Sequence, residues 1–310
     1  MSVLVVVYES SVKKLLITIA SILVQKGISK QIVICDDGSD SFPLDETIRF
    51  FELQNFTDYI FCLSKENRGI VQNVLNGIEE CRGEYLKLIS PGDYLHKENT
   101  LLEWYKLVKH KDADLSISNA IYYKKHLDGR LEAIRHRNNP QINKHYYQNQ
   151  WYYNYLIFDD IALGACILSK TDVTRKYLLL IKDRVKFAED NVYRIMAADK
   201  LFMVYFENDS LLYEYGTGIS TGGKGIWSKR IIDDWNETNK IILERINKSG
   251  NLEKSFRKVI KSRNKKGIEA KLYKLLNIRG FFQNYLRSKL KPKYTNLQID
   301  MPYFEKIKNY

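Results

Sequence analysis

The sequence predicts an α/β fold with a mostly parallel central sheet and a helical, basic extension at its C-terminal end. Short apolar runs rich in β-branched residues alternate with amphipathic helical patterns, which is typical of βαβ units with right-handed crossovers. The first run, residues 3–7, is V-L-V-V-V, and so continuous a run indicates a strand buried on both faces. The extension is indicated by charge, because residues 241–310 contain 18 Lys and Arg against 5 Asp and Glu.

The elements of the N-terminal part follow this first strand in order. Ser10 or Ser11 caps a helix whose apolar residues recur at helical spacing, and Gly27 ends that helix. Polar turns then separate the strands predicted at residues 31–35, 59–63, 85–89 and 114–119 from the helices predicted near residues 45–53, 70–81 and 100–110. This alternation brings the carboxyl ends of the first four strands to one edge of the sheet.

The second half of the chain contains an aromatic segment, a further strand and a helix start. Residues 136–158 are polar and aromatic, and residues 163–168 form an apolar run that predicts a strand. Residues 188–198 predict the start of a helix with Glu189 and Asp190 in its first turn, where the helix dipole favours carboxylates. We expect a catalytic-looking domain over residues 1–221 and an extension over residues 222–310.

The extension is predicted to be helical and amphipathic. Over residues 254–290, apolar residues recur at helical spacing while Lys and Arg occupy the other faces. This composition is typical of a helix that lies on an anionic membrane surface, and the alternative is a helix that packs on the main domain. Nucleic acid is a further anionic partner of basic tails, but the chain has no recognised nucleic-acid motif and residues 1–240 are nearly neutral, so we expect none.

Bulk properties exclude several protein classes. Apolar residues make up 45% of the 310 residues, which is ordinary for a globular protein. No apolar run reaches eighteen residues and residues 3–7 are too short for a signal peptide, so we expect a cytoplasmic protein without a transmembrane helix. The scattered Cys35, Cys62, Cys81 and Cys166 form no C-x-x-C pair, so neither a zinc site nor a disulfide framework is expected.

Polar residues cluster where four of the predicted strands end. A single Asp-Asp-Gly-Ser turn is more often only a turn, but four clusters at one sheet edge predict a binding site, because ligands of open α/β sheets bind there. In chain order, the clusters are Tyr8-Glu9, Asp36-Asp37, Asn67-Arg68-Gly69 and Gly92-Asp93.

These clusters resemble the motifs of a known family. The segments V-V-V-Y-E, I-V-I-C-D-D-G-S-D, N-R-G, G-E-Y-L-K-L-I-S-P-G-D-Y-L and F-A-E-D-N-V-Y-R occur in this order with suitable spacing. In this combination they resemble the family-two inverting glycosyltransferases with the GT-A fold, of the type that builds bacterial surface polysaccharides. The resemblance extends over residues 2–221. It implies a Rossmann-like, nucleotide-sugar-binding domain and transfer of a hexosyl or N-acetylhexosaminyl group.

The resemblance implies a nucleotide pocket along the strand ends. Asp37 would accept the N3–H of uracil, which fits a UDP-sugar donor. The residues that would line the rest of the pocket are Val6, Val7, Tyr8 and Glu9, which would contact the nucleobase and ribose, together with Asn67, Gly69 and Gly92. The late segment after Tyr215 would close over the pyrophosphate.

The resemblance also implies a metal site and a general base. Asp93 would hold Mn²⁺ or Mg²⁺ against the donor pyrophosphate, whose charge grows as the sugar bond breaks. Asp190 would take the proton of the acceptor hydroxyl, and Glu189 would help to orient the acceptor. Two adjacent carboxylates raise each other's pKa, which keeps a base usable near neutral pH. Simple roles in a turn or at a helix start remain the alternative for Asp37, Asp93 and Asp190.

The chain departs from the family pattern at three points. An Arg often found in the helix after the N-x-G motif is not evident here, and Val74 falls near its place. The metal motif of the family is usually Asp-x-Asp-Asp, whereas this sequence has Ser90-Pro91-Gly92-Asp93, in which only the last Asp remains. A histidine common in the late loop is absent, with Thr217 or Ser220 as possible substitutes.

Three further interpretations concern the partners. The aromatic residues of 136–158 form either a packed edge or a wall for an acceptor sugar. The basic tail combined with the family resemblance suggests an acceptor at a membrane, such as a lipid-linked saccharide, and a peripheral position on its inner face. The rival hypotheses are a catalytically silent partner subunit of the same fold and a nucleotidyltransferase, which would need a Gly-rich, Lys-containing loop that residues 6–14 lack.

Overall fold

The computed structural model describes residues 1–126, 130–137, 151–157, 161–216, 226–246, 250–263, 267–276 and 298–310. Predictions about other residues, among them Thr217, Ser220, Tyr146 and Tyr147, lie outside the described residues. Within the described part the chain is a mixed α/β structure with helices in its C-terminal extension, which confirms the predicted fold class.

The strands of the described residues form one nine-stranded sheet in the spatial order β3-β2-β1-β4-β8-β6-β9-β5, with β7 paired to β6. The strands are β1 (Ser2–Val7), β2 (Gln31–Asp36), β3 (Tyr59–Leu63), β4 (Tyr85–Ile89), β5 (Tyr94–Leu95), β6 (Leu115–Lys125), β7 (Leu131–Arg137), β8 (Ile167–Lys170) and β9 (Met203–Glu214). The first four strands pair in parallel, as predicted, whereas β8 is antiparallel to both β4 and β6. The sheet is therefore parallel in its N-terminal part and mixed beyond it.

Helices cover both faces of this sheet. They are α1 (Val12–Leu23), α2 (Leu44–Leu53), α3 (Ile70–Glu79), α4 (Thr100–Lys111), α5 (Trp151–Leu156), α6 (Thr171–Ile181), α7 (Val192–Ala198), α8 (Ile226–Arg245), α9 (Asn251–Arg263), α10 (Gly267–Leu276) and α11 (Met301–Lys308). Because side chains alternate along a strand, Val3 and Val5 of β1 pack in one buried cluster with α1, while Leu4 packs in another with α3. The carboxyl ends of the parallel strands therefore lie at a common edge of the sheet.

The strand predicted at residues 163–168 is wrong in its first half. Gly164–Cys166 form a 3-10 turn, in which the Cys166 N–H donates to the Leu163 carbonyl at 2.8 Å, and β8 begins at Ile167. The buried ammonium of Lys87 donates to the Ala165 carbonyl at 2.5 Å, so this carbonyl faces a side chain instead of a strand partner. An apolar run carries no sign of such a distant partner, which is why the pattern misled.

The aromatic segment is described only from Trp151. Trp151 and Tyr155 of α5 are buried in the core, where Trp151 Nε1 donates to the Leu201 carbonyl at 2.8 Å. These two residues therefore follow the packed-edge interpretation, whereas Tyr152 and Tyr153 are half-buried with ring centroids 4.9 Å apart.

The C-terminal extension packs on the main domain over much of its described length. Ile242 of α8 and Phe256 of α9 are fully buried in the same cluster as Ile195 of α7. The apolar face of α9 therefore packs on the main domain, which is the alternative to a membrane surface. On α10 the pattern differs, because Ile268 is 76% exposed and Leu272 is 54% exposed.

The last helix, α11, returns to the sheet. Its Tyr303, Phe304 and Ile307 are buried against α1, and its first turn is capped by Asp300, whose carboxylate accepts the Tyr303 N–H at 3.0 Å. Among the helices of the described residues, none is both long and apolar enough to span a membrane.

Candidate active site at the carboxyl ends of the strands

The turn after β2 is built by two adjacent aspartates with different partners. Asp36 accepts the N–H of Ser39 at 2.8 Å and its hydroxyl at 2.5 Å, which closes the turn. Asp37 accepts the N–H of Arg68 and the N–H of Gly69, each at 2.9 Å, and so joins the turn to the loop after β3. Burial raises the pKa of Asp37, against the lowering effect of these two N–H donors.

Gly38 lets these two loops approach closely. Its φ is +74°, and an added Cβ would lie 2.5 Å from the carbonyl carbon of Glu66. A side chain would therefore push the Asn67 loop away from the turn. Asn67 itself is exposed at the rim, while Gly69 is buried with a φ of +95°.

The end of β1 joins the same turn. Glu9 has a φ of +47°, its N–H donates to Ser39 Oγ at 2.8 Å, and its carboxylate accepts the Asp40 N–H at 2.9 Å. Tyr8 beside it is 49% exposed at the edge of the cleft. The side chain of Val7 lies in the core and that of Val6 is half-buried, so both residues can border a ligand only through their backbone or a limited surface.

Asn73 is a residue of this edge that the sequence did not reveal. It is buried on α3, and its Nδ2 donates to the Val7 carbonyl at 3.3 Å and to the Cys35 carbonyl at 3.1 Å. It therefore fixes the ends of β1 and β2 relative to each other. The available signal was a polar residue on the buried face of an amphipathic helix.

The turn after β4 is held by hydroxyl groups. The Gly92 N–H donates to Thr18 Oγ1 at 3.1 Å, and Thr18 Oγ1 donates to the Asp93 carbonyl at 3.0 Å. On the other side, the Tyr123 hydroxyl donates to the Gly92 carbonyl at 2.7 Å. Tyr123 stacks on Tyr94, and Tyr94 contacts Phe304 of α11, with ring centroids 5.9 Å and 5.7 Å apart.

Asp93 is a buried carboxylate with a buried lysine near it. Its side chain is 7% exposed, and burial raises its pKa to about 7, although Lys87 and the Glu214 N–H act in the opposite direction. Lys87 is fully buried and donates to the Leu88 and Ala165 carbonyls. Burial lowers the pKa of Lys87 to about 8, and the charge of Asp93 partly offsets this.

A second carboxylate, Glu214 at the end of β9, adjoins this turn. Its N–H donates to the Asp93 carboxylate, and its own side chain forms an ion pair of 2.5 Å with the ammonium of Lys14 on α1. A Cβ added at Gly92 would lie only 2.9 Å from Glu214 Oε2. No local sequence pattern indicates this neighbour, because Lys14 and Glu214 are 200 positions apart.

Glu189 and Asp190 open the 3-10 turn Glu189–Asn191 that leads into α7. Burial raises the pKa of Glu189 to about 8, and the neighbouring Asp190 raises it further. Burial also raises the pKa of Asp190 to about 6, although Arg194 lowers it. Gly164 gives Asp190 room, because an added Cβ there would lie 3.0 Å from Asp190 Cβ.

Asp234 of α8 anchors the segment that precedes this acidic pair. Its buried carboxylate accepts the N–H groups of Lys186, Phe187 and Ala188 at 3.1, 2.7 and 3.0 Å. Three donors on one carboxylate fix the local backbone firmly. The sequence showed only an acidic residue in a mostly polar helix, which is a common surface pattern.

Contacts connect the predicted site residues around one edge. Asp37 binds Gly69, which packs against Lys186, and the Val71 N–H donates to the Lys186 carbonyl at 3.1 Å. Lys186 precedes the Glu189–Asp190 pair. From Asp190, contacts continue through the Gly164–Cys166 turn to Lys87, whose charge acts on Asp93.

The described residues offer oxygen ligands for a divalent ion but no large cluster. Among them, no group of three or more His, Cys, Asp or Glu side chains could hold a metal ion. Asp93 and the neighbouring Glu214 are carboxylates, which suit Mg²⁺ and Mn²⁺, and such ions are commonly bound by one or two carboxylates plus substrate phosphates. The donor set therefore fits a cation that a phosphate ligand helps to hold.

The chain matches one family model. Residues 2–170 match the model described as "Glycosyl transferase family 2". The curated protein "Glycosyltransferase GlyG" of Streptococcus pneumoniae serotype 4 is 32% identical over 123 residues, which is 39% of this chain and 39% of that protein. This chain thus aligns with well under half of the length of that relative.

Solved structures with the same fold include TarS of S. aureus. One TarS structure has a TM-score of 0.57 at 15% identity, covering 84% of this chain and 42% of the TarS chain. TarS 1–349 has a TM-score of 0.56 at 14% identity over 91% of this chain and 80% of that one. The same fragment in complex with UDP has a TM-score of 0.51 at 13% identity, over 96% and 94%. At these identities the likeness establishes the fold alone.

Proposed function

Because this chain belongs to glycosyl transferase family 2 and is a glycosyltransferase, we propose that it moves a sugar from a UDP-sugar to an acceptor hydroxyl with inversion, assisted by Mn²⁺ or Mg²⁺. The observation that carries the proposal is a series of links. Asp37 binds Gly69, which packs against Lys186 shortly before Asp190. Asp190 adjoins the Gly164–Cys166 turn that binds Lys87, whose charge acts on Asp93. These links connect the sheet edge at Asp37, where a nucleotide would bind, with the turn that contains Asp93 and with the candidate base Asp190.

The uridine part of the donor is assigned to Asp37. Its two oxygens already accept the N–H groups of Arg68 and Gly69, but a carboxylate has about four acceptor sites, so an N3–H can still be bound. The exposed Tyr8 and Asn67 then lie at the rim, where a base and a ribose would stack or bond. The choice of UDP is also supported by the TarS fragment, which has been solved with UDP and with UDP-GlcNAc.

The diphosphate is assigned to the turn after β4. Asp93 would hold the divalent ion, which supplies positive charge to the leaving diphosphate when it is bound. Lys14 lies beside Gly92, and Gly92 lets the backbone come close because it has no side chain. Thr18 and Tyr123 keep the turn in place through their hydrogen bonds to Gly92.

The proton of the acceptor hydroxyl is assigned to Asp190. As the acceptor oxygen forms its bond to C1 of the sugar, the bond from C1 to the phosphate oxygen breaks, and the proton goes to the Asp190 carboxylate. The nucleoside diphosphate leaves with the electron pair, and attack from the opposite face inverts C1. The raised pKa of Asp190 makes it a stronger base than a free Asp, and Glu189 beside it would orient the acceptor.

A lipid-linked or surface-polysaccharide saccharide is the proposed acceptor, with the enzyme peripheral on the inner face of the membrane. This rests on the basic extension, whose exposed apolar residues on α10 are Ile268 and Leu272. Since the apolar face of α9 is buried on the domain, α10 is the described helix that remains for a membrane surface.

Calorimetric titration of UDP tests the donor assignment. We expect Mn²⁺-dependent UDP binding in the wild type, a loss of at least tenfold in Asp37→Asn, and no change in the control Asp40→Asn, which alters an exposed carboxylate of the same turn. No UDP binding with or without metal would contradict the donor assignment and would favour a silent partner subunit.

Sedimentation with anionic vesicles tests the membrane assignment. The variant Leu272→Glu should reduce binding of the full-length chain several-fold, whereas Leu179→Glu, an equally accessible leucine on α6, should leave it unchanged. Equal binding by both variants would remove α10 from the proposal.

A further inference from the structure

The carboxylate of Glu214 stands where a side chain at position 92 would begin. Gly92 has a φ of +100°, and its missing Cβ would lie 2.9 Å from Glu214 Oε2. The sequence motif here is Ser90-Pro91-Gly92-Asp93, so the turn itself supplies one carboxylate. Glu214 brings a second one from β9, at the point where the turn has no side chain of its own.

Glu214 and Asp93 are joined directly. The Glu214 N–H donates to the Asp93 carboxylate, and β5, which follows Asp93, pairs with β9 through Tyr94 and Leu212. This pairing fixes Glu214 opposite Gly92 by strand register. The position of the second carboxylate is therefore built into the sheet instead of depending on a loop.

A cation already lies at this position. The Lys14 ammonium is 2.5 Å from Glu214 Oε2 and would lie 3.9 Å from a Cβ added at Gly92. The Glu214 side chain is 12% exposed and that of Lys14 is 35% exposed, so the pair borders the cleft instead of the bulk solvent. A site that stabilises an ammonium between such groups has the charge required to receive a divalent ion.

We propose that Glu214 is the second carboxylate of the divalent-cation site formed with Asp93, and that Lys14 neutralises Glu214 until the ion and the diphosphate bind. This inference rests on the proposed metal-assisted function. Binding of the ion would release the Lys14 ammonium, and a diphosphate beside α1 is its nearest new anionic partner. Glu214 on β9 would thus supply the second carboxylate of the cation site, which the turn before Asp93 lacks.

Binding of Mn²⁺, followed by its electron paramagnetic resonance signal in the presence of UDP, tests this assignment without measuring activity. We expect Glu214→Gln to weaken Mn²⁺ binding by at least tenfold, because even groups that only support a metal ligand contribute about 10–100-fold. The matched control is Glu207→Gln, an exposed glutamate on the same strand, which should stay within twofold of the wild type.

The variant Lys14→Met separates a metal ligand from a merely structural ion pair. It removes the ammonium but keeps the carboxylate, so Mn²⁺ should bind as tightly as in the wild type or more tightly in the absence of UDP. If Lys14→Met and Glu214→Gln weaken Mn²⁺ binding equally, the ion pair only supports the fold and the proposal is overturned. Thermal unfolding of each variant without metal checks that it folds.

The remaining outcomes separate this inference from the proposed function. If the wild type binds Mn²⁺ with UDP and Glu214→Gln binds it equally well, Glu214 is no ligand, while metal assistance stands. If the wild type binds UDP but no Mn²⁺ in any condition, metal assistance fails and the assignment of Glu214 fails with it.

Discussion

Two acidic regions belong to the candidate site, and the charges around them differ. In the turn after β4, each carboxylate has a lysine near it: Lys87 for Asp93 and Lys14 for Glu214. In the turn before α7, Glu189 and Asp190 lie next to each other: Asp190 raises the pKa of Glu189, whereas Arg194 lowers the pKa of Asp190. The first region has the charges to bind a cation, whereas in the second region protonation of Glu189 is favoured.

The comparison shows that residue type alone does not assign a role to a carboxylate. Burial raises the pKa of Asp93 and of Asp190, so the pKa direction does not distinguish them. The distinguishing features are the neighbouring charges and the elements that hold each group: strand pairing for Glu214, and the anchored segment 186–188 for Asp190.

The largest effect is expected at the base. Asp190→Asn should reduce the transfer rate by about 10²–10⁴-fold, because the acceptor proton loses its destination. UDP binding should be unchanged, since Asp37 and the turn after β4 are intact. The control Asp183→Asn, an exposed carboxylate in the same stretch of chain, should retain full activity. Equal activity of both variants would mean that Asp190 is not the base, and the two acidic regions would no longer differ in proposed role.

The second effect concerns the anchor of the base. Asp234→Asn replaces one of the two acceptor oxygens by an NH₂ group that faces backbone N–H donors, so the acidic pair should shift and kcat should fall on the order of tenfold to 10²-fold. The KM for the donor should change little. Asp233→Asn, its exposed neighbour on α8, is the control. A fall in donor affinity without a fall in kcat would mean that Asp234 supports the donor side instead.

The third effect is a dependence of stability on pH. The folded-state pKa of Glu189 is about 8, above its usual 4.5, so the folded protein holds a proton that the unfolded chain has released over this interval. Stability should therefore fall as the pH rises from about 5 to 8. Glu189→Gln should raise the melting temperature at pH 8 but not at pH 5, by roughly 2–4 °C for each kcal/mol.

Glu214→Gln provides the contrast for that measurement. Because Glu214 has a lysine partner instead of a second carboxylate, its removal should give no gain in melting temperature at pH 8. A similar gain in both variants would mean that the two regions respond to charge in the same way.

The smallest effect is expected from Tyr123→Phe. This change removes the hydrogen bond to the Gly92 carbonyl, which is worth about 0.5–1.5 kcal/mol. The affinity for Mn²⁺ with UDP should fall by at most about tenfold, measured by calorimetry. Tyr105→Phe on α4 is the control. An equal loss of Mn²⁺ affinity in both variants would mean that the hydrogen bond from Tyr123 to Gly92 does not support the proposed metal site.

The sequence predicted the parts of the fold and site that depend on local pattern. Apolar runs located the first four strands, and the polar turns after them located Asp37, Gly69 and Asp93 correctly at one sheet edge. Helical spacing predicted α9 and α10 of the extension but not α8 or α11, and it did not tell that Phe256 of α9 is buried.

The parts that were missed depend on distant partners. The bonds of Lys87 to the Ala165 carbonyl, of Asp234 to the segment 186–188 and of Lys14 to Glu214 join residues 78, 46–48 and 200 positions apart. A single sequence holds no spacing rule for such pairs. The first of these bonds also accounts for the incorrect strand at residues 163–168.

The anchoring of residues 186–188 by Asp234 has a consequence for engineering. The proposed donor edge belongs to β1 through β4, but the backbone that presents the proposed base is tied to α8, beyond the segment that matches the family model. A shortened chain that ends before α8 would retain the Asp37 turn and lose the support of Asp190. Hybrid enzymes built by exchanging acceptor-side segments should therefore inherit residues 186–190 and α8 from the same parent.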